Sequence, residues 1–267
     1  MVALLVDSEG TPRRGRSAAP GVRELLVRLA AQYETAAFLD GDPSRFMHEV
    51  SGEANMEATA FTASVLSYGS RKQFLPKIES ILAMSGGKMD AWIAEGGYEA
   101  AFEEDDRRSF YRFQKMADMR DFFDRYRRII RRHGSLGGLV RGEAKDGISA
   151  VRSICNAFSG AGGLVPKDAS SACKRVCMFL RWMARPDSPV DLGLWKDFID
   201  RATLVMPLDV HVRRQACSLG LFDCKTPDMR AAESLSATLS EIFPGDPLKG
   251  DFALFGYGAD ASRNGEP

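Results

Sequence analysis

The sequence predicts an all-α fold, and three observations carry that prediction. Apolar residues recur at the i, i+3, i+4 and i+7 spacing of a helical face along most of the chain. Helix start and stop signals separate the periodic segments: Asp42-Pro43 and Thr226-Pro227-Asp228 at starts, Gly69 and Gly134 at ends. No segment sustains the apolar–polar alternation of a strand.

Taken in order, Val22, Leu25, Leu26, Leu29, Ala30 and Tyr33 line one face of a first helix. Asn55 is placed to cap a helix through Phe61, Val65 and Leu66 that Gly69 terminates. A helix is expected over residues 71–84, with Pro76 as a point of bending. Residues 118–133 form the most charged helix, with Phe122, Phe123, Tyr126, Ile129 and Ile130 facing inward. The Arg125–Arg132 run then reads as its outer face. Shorter helices are expected near 145–158, 171–185, 191–203, 207–219, 227–243 and 247–256.

Composition narrows the function. A chain of 267 residues with 45% hydrophobic content can bury the core of one large domain or of two lobes. Its 36 basic residues balance 36 acidic ones, so any attraction to nucleic acid must arise from local clustering. Five cysteines, an odd count, and 11 methionines fit reduced thiols and a cytoplasmic protein. Residues 7–20 are rich in Gly, Pro, Arg and Ser and read, with what precedes them, as a mobile arm over residues 1–20. The opening apolar stretch Met1–Val6 is too short for a signal segment. No run approaches the roughly 18 consecutive apolar residues of a membrane span, so a soluble protein with no membrane partner is expected.

Two stretches carry chemistry: Ser170-Ser-Ala-Cys-Lys-Arg-Val-Cys-Met-Phe-Leu-Arg-Trp-Met183 and Val205-Met-Pro-Leu-Asp-Val-His-Val-Arg-Arg-Gln-Ala216. Asp209 follows Pro207 in the first turn of an expected helix, where the helix dipole and free amides favour a carboxylate. Its plain reading is a helix cap. Lys174 lies among Ala172, Cys173, Val176, Cys177 and Phe179. Partial loss of hydration there favours a neutral amine able to attack carbon. The plain alternative is a surface lysine whose stem covers apolar groups while its amine stays in water.

Together these stretches resemble the helix-hairpin-helix DNA glycosylase superfamily. Met206-Pro-Leu-Asp-Val-His-Val212 is similar to the superfamily's catalytic aspartate segment, and Lys174 matches the Schiff-base lysine at the start of the helix after the hairpin. Asp251-Phe-Ala-Leu-Phe-Gly-Tyr-Gly258 resembles its final core helix. Leu66-Ser-Tyr-Gly-Ser-Arg-Lys-Gln73, Tyr111-Arg-Phe-Gln114, Ser171-Ala-Cys-Lys-Arg175, Phe179-Leu-Arg-Trp-Met183 and Pro207-Leu-Asp-Val-His-Val212 resemble an uncharacterised bacterial family within that superfamily. The resemblance spans roughly residues 22–258. It implies a two-lobed helical bundle over residues 21–267, with a central lobe at about 55–160. The second lobe combines the N-terminal helix with about 161–258.

The implied activity is excision of an altered base from double-stranded DNA by a monomer, with associated lyase chemistry. Lys174 would be the nucleophile and Asp209 the carboxylate facing the developing cation. The target base would flip out of the stack, with Trp182 lining its pocket and Tyr68 or Arg71 filling the vacated space. Lys72, Lys167, Ser170, Ser171, Arg175, Arg213 and Arg214 would meet the phosphate backbone. His211 reads as a packing or local hydrogen-bonding residue, and His48 and His133 belong to no constellation. The same chemistry on a hypermodified base in foreign (phage) DNA, or on a nucleoside, is an alternative. So are a catalytically silent nucleic-acid-binding module and a helical interaction domain, though neither of those needs a nucleophile.

The chain departs from the superfamily pattern in three respects. The hairpin normally carries glycines that let backbone amides approach a phosphate, whereas this chain reads Leu164-Val-Pro-Lys-Asp-Ala-Ser170. Lys174 and Asp209 are 35 positions apart, a gap wide enough for an inserted helix over Asp191–Arg201. Cys155, Cys173, Cys177, Cys217 and Cys224 lack the spacing of a cluster or zinc site, so no metal and no cofactor are expected.

Overall fold

The computed structural model describes residues 17–223 and 226–263. The described residues are predominantly helical, with one two-stranded ribbon. They form two compact units, one of residues 39–145 and 149–169, the other of the flanking segments up to 38, 146–148 and from 170 on. The boundaries thus fall at 39 and 170, against the expected 55 and 161. The expected arm lies outside the described residues as far as residue 16. Its last position, Pro20, is the first residue of α1 (Pro20–Tyr33), where a missing amide costs no helical hydrogen bond.

The unit of residues 39–145 and 149–169 holds α2 (Arg45–His48), α3 (Glu53–Leu66), α4 (Arg71–Met84) and α5 (Met89–Glu95). The ribbon β1 (Ser109–Tyr111) and β2 (Gln114–Lys115) follows, then α6 (Met116–His133), α7 (Leu136–Glu143) and most of α8 (Gly147–Phe158). From Glu57 to Leu66 α3 is buried on every face, so it forms the centre of this unit. Phe61 packs against Phe122, Tyr126 and Phe158, and the Phe122 and Phe158 rings stack at 5.4 Å. Asp118 accepts from the Lys115 amide at 2.7 Å and fixes the start of α6. On its outer face Arg125 pairs with Asp121 at 2.9 Å and Arg127 with Glu99 at 2.8 Å.

Asn55 does not cap α3, which starts two residues earlier. Its amide donates to the Gly87 carbonyl at 2.7 Å and its oxygen accepts from the Met89 amide at 2.8 Å, tying α3 to the start of α5. α4 is continuous across Pro76. The helix expected near 145–158 corresponds to α8, whereas α7 was not expected from sequence. Glu57, buried in α3, accepts from the Leu136 and Gly137 amides at 2.8 and 3.0 Å and so satisfies the free end of α7.

The other unit holds α1, α9 (Lys174–Ala184), α10 (Val210–Ser218), α11 (Met229–Ile242) and α12 (Lys249–Arg263). α1 packs along α12, where Tyr33 meets Phe255 edge-on at 5.9 Å. α9 is buried from Val176 to Ala184 apart from Met178. No helix fills residues 191–200, correcting the expected insertion. Instead the segment folds back over the end of α9. The Leu192 and Gly193 amides donate to the Trp182 carbonyl at 2.8 and 3.1 Å, and the Trp195 amide donates to Met183 at 2.7 Å. These carbonyls have no partner within the helix, so an irregular segment satisfies them better than another helix would.

The same fold-back delivers Asp191 to Arg181 in the last turn of α9 and to Arg185, the residue that follows the helix. Arg181 Nε lies 3.2 Å from Asp191 Oδ1, and its guanidinium also holds Asp251. Arg185 engages Asp191, Asp246 at 2.8 Å and Glu34 at 2.8 Å. Burial works against the Arg185 charge, but Asp246, Asp191 and Glu34 outweigh it and keep the guanidinium protonated. Removing one partner strands several buried carboxylates. Arg185→Ala is therefore expected to lower stability by about 3–5 kcal/mol, read from urea unfolding.

Candidate active site

Lys174 is the first residue of α9, and Asp209 is the residue before the first turn of α10. The expected helix over 207–219 thus starts later, and Pro207 lies outside it. Leu204 to Leu208 are buried outside any helix or strand, with the Met206 amide donating to Ser236 Oγ on α11 at 2.8 Å. This anchoring fixes the point at which Asp209 emerges. Asp209 Oδ1 accepts from the His211 and Val212 amides at 2.9 and 2.8 Å. Its other oxygen, Oδ2, lies 2.9 Å from Lys174 Nζ. One carboxylate therefore caps a helix and holds the lysine.

The pair is partly open to solvent, with side-chain exposures of 38% for Lys174 and 26% for Asp209. Burial pushes the Asp209 carboxyl up, but the Lys174 ammonium and the two amides outweigh this and hold it below the usual carboxylate range. Asp251, in the first turn of α12, completes the charged surroundings. Burial pushes its carboxyl up despite Arg181 and Lys174, and the charge of Asp209 adds to the rise. Sequence reasoning missed Asp251 as a site residue, because a carboxylate in a first turn is an ordinary helix-start signal. The backbone before Lys174 is constrained: Cys173, buried, sits at φ 45° in the left-handed region that non-glycine residues avoid.

The remaining sequence candidates occupy different settings. Arg175 and Arg213 are half-buried, while Arg214, Ser170 and Ser171 are exposed. Ser170 and Ser171 are held by α11: the Ser170 carbonyl accepts from Met229 at 3.3 Å, and Ser171 bridges Asp228. Trp182 is fully buried and packs as core rather than as a pocket wall, and its indole N–H has no hydrogen-bond partner. His211 is exposed. In the other unit, Lys167 and Lys72 are exposed, and Arg71 reaches Asp42 at 3.4 Å. Tyr68 is half-buried, and its hydroxyl donates to the Tyr111 carbonyl at 3.3 Å.

Gly160, Gly162 and Gly163 all adopt positive φ before residue 164. At Gly162 a Cβ would fall 3.0 Å from Asp118 Cα, so this glycine serves packing against α6. A cavity of about 140 Å³ in the same unit is lined by Glu57, Asp90, Tyr126 and small residues, and it includes none of the candidates. Among the described residues no group of three or more His, Cys, Asp or Glu is placed to hold a metal ion, and Cys224 lies outside them. Among the described residues no helix is long and apolar enough to cross a membrane.

The profile of a family described as "Protein of unknown function (DUF2400)" matches residues 42–260. That is most of the chain, which therefore belongs to this family. No curated protein and no solved structure matches the chain.

The double role of Asp209 can be separated by substitution. Asp209→Ala removes both the cap and the ion pair and is expected to cost about 1 kcal/mol, whereas Asp209→Asn keeps most of the cap. Because the folded carboxyl is held low, the wild-type advantage over Asp209→Asn is full above the ordinary carboxylate range. It is lost as pH falls through the depressed value. Urea titrations of the three proteins across acid pH check both expectations.

Proposed function

We propose that the chain is a DNA N-glycosylase with associated lyase capacity, in which Lys174 is the nucleophile and Asp209 the carboxylate that faces the developing cation. The observation that carries this reading is the 2.9 Å contact between Lys174 Nζ and Asp209 Oδ2 at the adjoining starts of two helices. A partly exposed amine against a fixed carboxylate suits attack on a carbon that gains positive charge, and a cap alone would need no lysine.

Held by Asp209, the lysine must give up a proton before its lone pair can react. Two carboxylates stand near it, and Asp251, held up by burial, accepts a proton more readily than Asp209. Nζ then bonds to C1′ of the sugar as the bond from C1′ to the base nitrogen breaks. The electron pair leaves with the base, which takes up a proton. Asp209, still ionised, opposes the charge that builds on the sugar. Ring opening gives an imine at C1′. Loss of a C2′ proton then expels the 3′ phosphate by β-elimination, and water hydrolyses the imine to free Lys174. No cofactor takes part in these steps.

The base must leave the stack before Nζ can reach C1′. Exposed Arg214, with Arg175 and Arg213 beside the pair in sequence, supplies positive charge for the phosphates on either side. Replacing any one of these arginines by alanine should lower the log–log salt dependence of DNA binding by about one.

Single-turnover base release from a panel of duplexes, each carrying a different altered base, tests the reading. At least one duplex should be cut by the wild-type protein. On it, Asp209→Asn should slow release by two or more orders of magnitude while DNA binding persists, the sign of an interaction made in the transition state. Full activity in soluble Asp209→Asn would reduce the residue to a helix cap. The absence of release from every duplex would favour the catalytically silent nucleic-acid-binding module.

A further inference from the structure

Phe113 is 81% exposed, the highest value among the large hydrophobic residues described. It occupies the tip of the ribbon: Tyr111 pairs with Gln114, leaving Arg112 and Phe113 as a two-residue turn. Arg112 adopts φ 52°, a conformation that is costly for a residue with a side chain. A water-exposed ring on a strained turn contributes little to folding.

The ribbon behind the tip is braced by the turn between α3 and α4. The Tyr68 hydroxyl donates to the Tyr111 carbonyl at 3.3 Å, and the Tyr111 hydroxyl donates back to the Tyr68 carbonyl. Their rings lie 4.8 Å apart. Gly69, at φ 79°, lets the turn between α3 and α4 press against the ribbon. A Cβ there would meet the Arg112 guanidinium and the Tyr111 hydroxyl.

The two segments that form this end carry only positive charge of their own, although Asp118 accepts from the Lys115 amide. Residues 68–72 and 111–115 contain Arg71, Lys72, Arg112 and Lys115 and no carboxylate, in a chain whose charges otherwise balance. All four cations are exposed, although Arg71 also reaches Asp42. The Arg112 guanidinium lies 5.8 Å from the centre of the Phe113 ring. The acidic run at residues 103–106 precedes β1, and there Arg108 holds Asp106 at 2.6 Å.

We infer that Phe113 enters the base stack of bound DNA, with Arg112, Lys72 and Lys115 on the flanking phosphates. A single exposed aromatic on a braced ribbon, with cations around it, suits a base face and its phosphates. An apolar protein surface would call for a contiguous patch and a membrane for several inserted side chains. Tyr68, expected from sequence to fill the vacated space, instead braces the ribbon. The inference rests on the DNA assignment above and is independent of the chemistry at Lys174.

The test uses the full chain and a duplex with 2-aminopurine at a mismatched site, whose fluorescence rises when the base unstacks. Wild-type protein should raise the signal on binding. Phe113→Ala should bind about tenfold more weakly and lose the rise, whereas Phe113→Trp should retain both. Far-UV circular dichroism should be unchanged, because the ring is in solvent.

Equal affinity and equal fluorescence for Phe113→Ala and wild type would overturn the inference, as would a wild type that leaves the base stacked. Base release by the wild type separates the two proposals. Release without a Phe113 effect preserves the catalytic reading and removes this one. A Phe113 effect without release on any duplex does the reverse.

Discussion

The buried charge network on α9 is the constraint on which its unit depends. Arg181 and Arg185 collect Glu34, Asp191, Asp246 and Asp251 from three separate parts of the sequence. Each charge in the network is costly without its partners, so the loss of one destabilises the arrangement of the others. Arg181 in the last turn of α9 and Arg185 just past it fix the end of the helix through these partners. Lys174, at the start of the same helix, inherits that fixed position. Asp251 links the network to the site, because it binds Arg181 and its carboxyl responds to the charges of Lys174 and Asp209.

At the site itself, two readings that sequence set against each other prove compatible. Asp209 is a helix cap through one oxygen and a lysine partner through the other. The cap orients the carboxylate, so the second oxygen meets Nζ without an extra ordering cost for the aspartate. A residue of this kind is easily mistaken for a purely structural one, since the stabilising role and the proposed chemical role share one carboxylate through its two oxygens.

Most of the helices were legible in sequence because their burial is one-sided and periodic. α1, α4, α6 and α11 lie within a few residues of their expected bounds. The misses share a cause. Residues 191–200 contain Trp195, Phe198 and Ile199 at helical spacing, yet they are held by the unsatisfied carbonyls of α9, a tertiary demand that no local pattern shows. α7 is a short helix whose start depends on Glu57, far away in sequence. Lys174 and Asp209 could be singled out only in the context of their flanking residues. Asp251 carried no distinguishing signal, and the ribbon whose turn exposes Phe113 is too short to show strand alternation.

The central claim is that Lys174 forms a covalent bond to the sugar of its substrate. Borohydride reduction during turnover converts the imine to a stable amine, and peptide mass spectrometry then locates the modified residue. The account predicts a DNA adduct on the peptide containing Lys174, and none when Lys174 is replaced by alanine. An adduct on another lysine, or one that survives that replacement, would contradict it.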